Sequence, residues 1–301
     1  MTLVPSFLTE RSGRLSPEKT VAFIGALLPA LWLLGRALSG TLAPPAPFGG
    51  APGLGGEAAL GARPLMEAIR FLGDWTVRLL LVTLAITPAR RLFNLPKLIA
   101  ARRILGLATL GYGLLHLGLF VIDQGSLITA VREIVLRIYL LIGFVALAAM
   151  LALGLTSWDG AVRRLGAERW NRLHRLIYPV AVLAIVHFFL QQKLDVTQPT
   201  LMAGLLAWLF GWRAVQARGL GTRPLALAAL ALAAGLATAL IEAAWYALAT
   251  GIDPALVLQA NLAFDYSVRP AWWVLAAGLS VAAASLLALR LRPLPARTRA
   301  A

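Results

Sequence analysis

Apolar residues fall in runs of about 17–25, long enough to cross a ~30 Å hydrocarbon core as helices. The runs lie near residues 20–38, 66–87, 103–122, 133–155, 173–190, 200–216, 224–249 and 270–289. This pattern predicts an all-α integral membrane protein, a bundle of about eight transmembrane helices. The first run follows Arg11, Arg14 and Lys19 and is interrupted by Pro29 and Arg36. It reads as an uncleaved anchor rather than a signal peptide. The stretch 40–62, with Pro44, Pro45, Pro47 and many glycines, reads as a flexible linker without chemistry.

Charge orients the bundle. Alternate connections carry Arg90, Arg91, Lys97, Arg102 and Arg103, then Arg163, Arg164, Arg169, Arg172 and Arg175, then Arg213, Arg218 and Arg223. The basic N-terminus and Arg290, Arg292, Arg297 and Arg299 fall on the same side, while the opposite loops hold only scattered cations such as Arg63, Lys193 and Arg269. By the positive-inside rule both termini are cytoplasmic. The formal charge of +15 is explained by this asymmetry, so nucleic acid is not an expected partner and the lipid bilayer is. Organisation follows: a cytoplasmic segment 1–19, a six-span core over 20–216, a cytoplasmic linker 217–223, an additional Ala/Leu-rich hairpin 224–290, and a cytoplasmic tail 291–301.

Of 301 residues, 59% are hydrophobic and 14% charged, against about 25% charged in an ordinary soluble domain. No stretch outside the apolar runs is long enough for a separate soluble fold. No strand leads into a Gly-rich turn and helix, so a nicotinamide-binding module is not expected and a soluble electron donor would be another chain. The absence of cysteine excludes disulfides, iron–sulfur clusters and thiolate-ligated haem.

The chain has three histidines, His116, His174 and His187, each in or beside an apolar run. Histidine in hydrocarbon is costly and usually functional. His174 and His187 are 13 residues apart on one predicted helix, roughly 20 Å along its axis. His116 follows Arg102 by 14 residues on the third run, which is parallel to the fifth. Two matched levels result: His116 with His187 toward the outside, and Arg102 with His174 toward the cytoplasm. Bis-histidine ligation of a b-type haem fits the outer pair. Helical phase places Arg102 and His116 about 40° apart, but His174 and His187 about 140° apart. Pro179 lies between the latter two and is expected to kink or re-phase the helix. His174 sits among arginines, where it either ligates a second haem or binds a headgroup or quinone.

Several motifs resemble the MsrQ (YedZ) family. They are Arg102-Arg103-Ile104-Leu105-Gly106-Leu107 with Tyr112 and Leu115-His116-Leu117, and Arg70-Phe71-Leu72-Gly73-Asp74 through Thr87-Pro88 to Arg90-Arg91. Thr156-Ser157, Asp159-Gly160, Arg163-Arg164-Leu165-Gly166, Trp170, Leu173-His174-Arg175-Leu176, Tyr178 and His187-Phe188 continue the likeness, which covers about 20–216. The family is grouped with ferric-reductase-like membrane cytochromes. The resemblance implies a six-helix haem-binding core in the bacterial inner membrane, with one or two haem b groups and FMN. It implies an electron-transfer subunit drawing on the quinone pool or a cytoplasmic flavin reductase. The acceptor would be a periplasmic molybdopterin enzyme, MsrP, which reduces methionine sulfoxide and so repairs oxidised proteins. Related oxidases have histidine where Arg102 stands, so the inner level has only His174 as an evident ligand. Arg102 then supplies an unusual ligand, pairs with a propionate or anchors the topology. The hairpin 224–290 goes beyond the family core.

Charges inside the spans carry paired readings. Arg70, Asp74 and Arg78 follow at i, i+4, i+8 and share a face with Glu67 nearby. Either Arg70 or Arg78 holds a haem propionate, or the set is a structural ion-pair ladder. Arg90, Arg91, Arg163, Arg164 and Arg169 crowd the cytoplasmic mouth, as a flavin or donor site or as topology determinants. Glu242 is expected to be interfacial. The rival functions are a ferric, metal or oxygen reductase of the same fold, a cofactor-free permease using histidines as proton relays, and a structural anchor.

Overall fold

The computed structural model describes residues 6–10, 13–42, 63–192, 195–265 and 267–292. The expected linker lies outside them from residue 43 on, as do Arg11, Lys193, Arg297 and Arg299. Apart from an isolated bridge between Thr9 and Leu15, the described residues form no β-structure. In chain order the helices are α1 (Pro17–Leu38), α2 (Pro64–Leu92), α3 (Ala101–Asp123), α4 (Leu127–Leu136), α5 (Ile138–Leu155) and α6 (Asp159–Leu165). They continue with α7 (Ala167–His174), α8 (Ile177–Gln191), α9 (Thr197–Ala217), α10 (Pro224–Thr250), α11 (Pro254–Ala260) and α12 (Pro270–Leu291). Pro17, Pro224, Pro254 and Pro270 open their helices, where a missing N–H costs nothing.

The protein is a multi-pass membrane protein. Among the described residues six segments are long and apolar enough to cross a bilayer: Pro17–Leu38, Pro96–Asp123, Ile138–Leu155, Ala167–Gln191, Pro224–Thr250 and Pro270–Leu291. The other two expected spans are helical, as α2 and α9, but are not among these six. Large apolar side chains stay exposed along α1, including Val21, Leu28, Leu31 and Leu34, as suits a surface solvated by lipid.

Two expected spans are broken. The run 133–155 divides at Arg137, whose backbone is extended, so its first turn belongs to α4. Ser126 caps α4 by accepting from the Thr129 N–H. The run 173–190 divides at Arg175 and Leu176, so His174 ends α7 and His187 lies on α8. Pro179 explains the second break, because it has no N–H for the Arg175 carbonyl four residues back. Tyr178 N–H bonds that carbonyl instead, at 3.1 Å.

The chain forms two compact units, one from residues 1–83 and 100–188, the other from 84–99 and 189–301. In the first, α3 packs on α1 and α5, and Tyr112 donates its hydroxyl hydrogen to the Ala26 carbonyl at 2.8 Å. Trp32 of α1 stacks on Phe71 of α2 with ring centres 4.8 Å apart.

In the second unit α9, α10 and α12 pack together through small residues of α10, with Ala231, Ala234, Gly235 and Thr238 buried. Pro88 cannot donate to the Leu84 carbonyl, and Arg213 takes over that duty: one guanidinium nitrogen donates to Leu84 O at 2.8 Å, the other to Leu209 O at 2.7 Å. Glu242, expected at the interface, is buried within the protein. It is 1% exposed, accepts from Asn261 Nδ2 at 3.0 Å, and lies 3.7 Å from the Arg269 guanidinium. The loop helix α11, starting from the Asp253 cap, delivers Asn261 onto it.

Candidate functional site

His116 and His187 come together in the first unit. Their ring centres are 6.3 Å apart and the ring planes stand at 86°. Each ring is held from behind by a backbone carbonyl of a neighbouring helix. His116 Nδ1 is 2.8 Å from Ile69 O on α2, and His187 Nδ1 is 2.7 Å from Tyr139 O on α5. A carbonyl only accepts, so Nδ1 carries the proton and Nε2 is left with the lone pair in both rings. Neutral imidazoles with a tied Nδ1 and a free Nε2 are metal ligands of the usual kind.

The spacing tests the fit. A metal–imidazole bond is about 2 Å and the ring centre lies about 1 Å further on, so rings on opposite sides of one ion stand about 6 Å apart. The observed 6.3 Å agrees. Among the described residues no three His, Cys, Asp or Glu side chains gather to complete a protein-only metal site. Two facing imidazoles with no further protein ligand would suit an ion already held in a macrocycle.

His174 is arranged differently. It stacks on Trp170 with ring centres 3.7 Å apart and planes 22° apart. Nδ1 is 3.2 Å from Trp170 O, and Nε2 is 3.4 Å from Ser157 Oγ. Trp170 is itself fixed by donating its indole N–H to Thr156 O at 2.8 Å. No second histidine faces His174, and Arg102 lies near enough to act on it electrostatically.

The remaining expected residues scatter. Arg70 pairs with Glu67 at 2.9 Å and Arg78 with Asp74 at 3.4 Å, and Arg70 also lies near enough to act on Asp74 electrostatically. Arg78 also lies over the Trp75 ring, 5.4 Å from its centre. Arg163 and Arg164 lie on α6 and Arg169 on α7, all exposed, with Arg164 set over Trp158. Arg90 and Arg91, at the end of α2, belong to the other unit. Sequence reasoning missed Ser157 as a partner of His174 and missed both carbonyls, since a backbone acceptor has no residue signature.

Known proteins carry similar sequences. The family model described as ferric reductase like transmembrane component matches residues 72–185, a stretch that includes His116 and His174 and stops two residues before His187. A protein-methionine-sulfoxide reductase heme-binding subunit MsrQ from Xanthomonas campestris pv. campestris is 46% identical over 160 residues, 52% of this chain and 73% of the relative. The protein of the same name from Rhodospirillum rubrum is 38% identical over 210 residues, 69% of this chain and 90% of the relative. The chain belongs to the MsrQ family. A further MsrQ, from Xanthomonas euvesicatoria pv. vesicatoria, is 44% identical over 161 residues, 53% of this chain and 73% of its own length. No solved structure matches the chain.

Proposed function

We propose that this MsrQ-family protein is a transmembrane b-type cytochrome, the electron-transfer subunit of a methionine sulfoxide reductase system. The observation that carries the reading is the His116–His187 pair, two rings 6.3 Å apart with each Nδ1 tied to a carbonyl. A haem bound there supplies one-electron redox chemistry, its potential tuned by axial ligands and their hydrogen bonds. His116 and His187 would hold the haem iron, while Ile69 O and Tyr139 O fix tautomer and ring orientation. The names of the relatives support haem as the macrocycle.

His174, with Arg102 beside it, offers a second, single-histidine position for another haem, a headgroup or a quinone. The carboxylate partners of Arg70 and Arg78 favour the structural ion-pair reading over a propionate contact. Arg163, Arg164 and Arg169 are taken as FMN or donor contacts on the cytoplasmic side, and Arg90 and Arg91, in the other unit, are separately taken as candidates for the same role. The core is taken as 20–216 with an additional hairpin 224–290, both termini cytoplasmic, in a bacterial inner membrane. Electrons would enter from the quinone pool or a cytoplasmic flavin reductase and leave to a periplasmic molybdopterin methionine sulfoxide reductase.

The test is direct. The purified protein, reduced with stoichiometric dithionite, is mixed with an MsrP-type enzyme and a methionine sulfoxide substrate. Oxidation of the haem bands only when enzyme and sulfoxide are both present supports the reading. Bands indifferent to that pair but discharged by ferric chelates would make the protein a metal reductase of the same fold.

A further inference from the structure

The two histidine seats are built alike. Ile69 and Gly73 stand four residues apart on α2, and Tyr139 and Gly143 stand four apart on α5. A helical side chain leans over the turn that precedes it, so residue i+4 covers the carbonyl of residue i. A glycine at i+4 uncovers that carbonyl, and in each seat a histidine ring occupies the vacated space. A Cβ placed on Gly73 would lie 3.2 Å from His116 Nδ1 and Cε1, and one placed on Gly143 would lie 2.7 Å from the same atoms of His187. Gly118, two residues after His116 on α3, has nothing within 4 Å of such a Cβ.

We infer that Gly73 and Gly143 are positioning residues for the histidine pair: their missing side chains expose the Ile69 and Tyr139 carbonyls and set the two ring planes near a right angle. The inference rests on the haem reading and deepens it. It assigns ring orientation, and through it haem affinity and potential, to two residues that touch no metal.

The two seats differ in tightness, which grades the effect. Ordinary contact begins near 3.4 Å, so Ala at 143 forces His187 back by about 0.7 Å and Ala at 73 forces His116 back by about 0.2 Å. The first displacement stretches a 2.7 Å hydrogen bond beyond the usual ~3.2 Å limit, whereas the second leaves a 2.8 Å bond within it. Losing a partner that orients a metal-bound histidine typically costs about 10- to 100-fold in affinity.

The experiment compares Gly143→Ala, Gly73→Ala and Gly118→Ala in the full-length protein. It reads haem affinity, midpoint potential, the electron paramagnetic resonance of the oxidised haem, and helical content without haem. Gly143→Ala is expected to lose tenfold or more in haem affinity with helical content intact. Gly73→Ala keeps its haem but shifts the potential and the resonance anisotropy, and Gly118→Ala matches wild type. Should Gly143→Ala not accumulate, Gly73→Ala decides alone. Wild-type potential and resonance in Gly73→Ala, or equal changes in Gly118→Ala, would overturn the inference while leaving the haem reading in place. A wild-type protein that takes up no haem at all would overturn both.

Discussion

The bond from Arg213 to the Leu84 carbonyl gives a prediction about stability with a built-in control. Leu84 is 1% exposed, and Pro88 denies its carbonyl the ordinary helical donor. The guanidinium at 2.8 Å is a charged donor, a class of hydrogen bond worth about 1.5–3 kcal/mol. Arg213→Met keeps the apolar stem and removes the donor, so unfolding free energy is expected to fall by about 2 kcal/mol. Pro88→Ala restores an N–H to the carbonyl. In that background Arg213→Met is expected to cost about 1 kcal/mol or less, leaving a coupling of about 1–2 kcal/mol between two residues 125 positions apart. The assay is a double-mutant cycle by reversible denaturant titration of the purified protein in mixed micelles. Equal costs of Arg213→Met in the two backgrounds would refute the argument, since the arginine would then not be substituting for the proline's missing hydrogen.

Three further outcomes follow from the described contacts. Arg269→Ala leaves the buried Glu242 carboxylate without its cation and is expected to destabilise the protein by about 3 kcal/mol, whereas Glu242→Gln, which still accepts from Asn261, costs less; unfolding free energies in the reverse order would contradict this. Arg78→Met strands the half-buried Asp74 carboxylate and is expected to lower the thermal midpoint more than Asp74→Asn, which leaves Arg78 over Trp75; equal midpoints would count against the pair. Trp170→Leu removes the ring stacked on His174, and difference spectra are expected to change only in the component that His174→Ala also changes.

The helical bundle and its level of paired histidines were legible because apolar run length and residue type carry them. His116 and His187 could be matched by counting from the borders of parallel spans. The break between α7 and α8 was half-legible: Pro179 announced a disturbance, but whether the helix would bend or part depended on Tyr178 taking the Arg175 carbonyl. Parting also separates His174 from His187, which removes the phase conflict that one straight helix would impose. Arg213 looked like one more topology determinant, because its role depends on a carbonyl 129 residues earlier. The burial of Glu242 was not legible, because it depends on α11 laying Asn261 against it from 19 residues away. The ladder Arg70–Asp74–Arg78 had the correct spacing, and Glu67 joins it as the close ion-pair partner of Arg70.

The central claim is that His116 and His187 grip one iron between them. Haem quantification with reduced-minus-oxidised spectra on wild type, His116→Ala, His187→Ala and His174→Ala tests it most directly. The account predicts that His116→Ala and His187→Ala each lose the same haem component while His174→Ala retains it. Wild-type haem content and spectra in all three variants would contradict it.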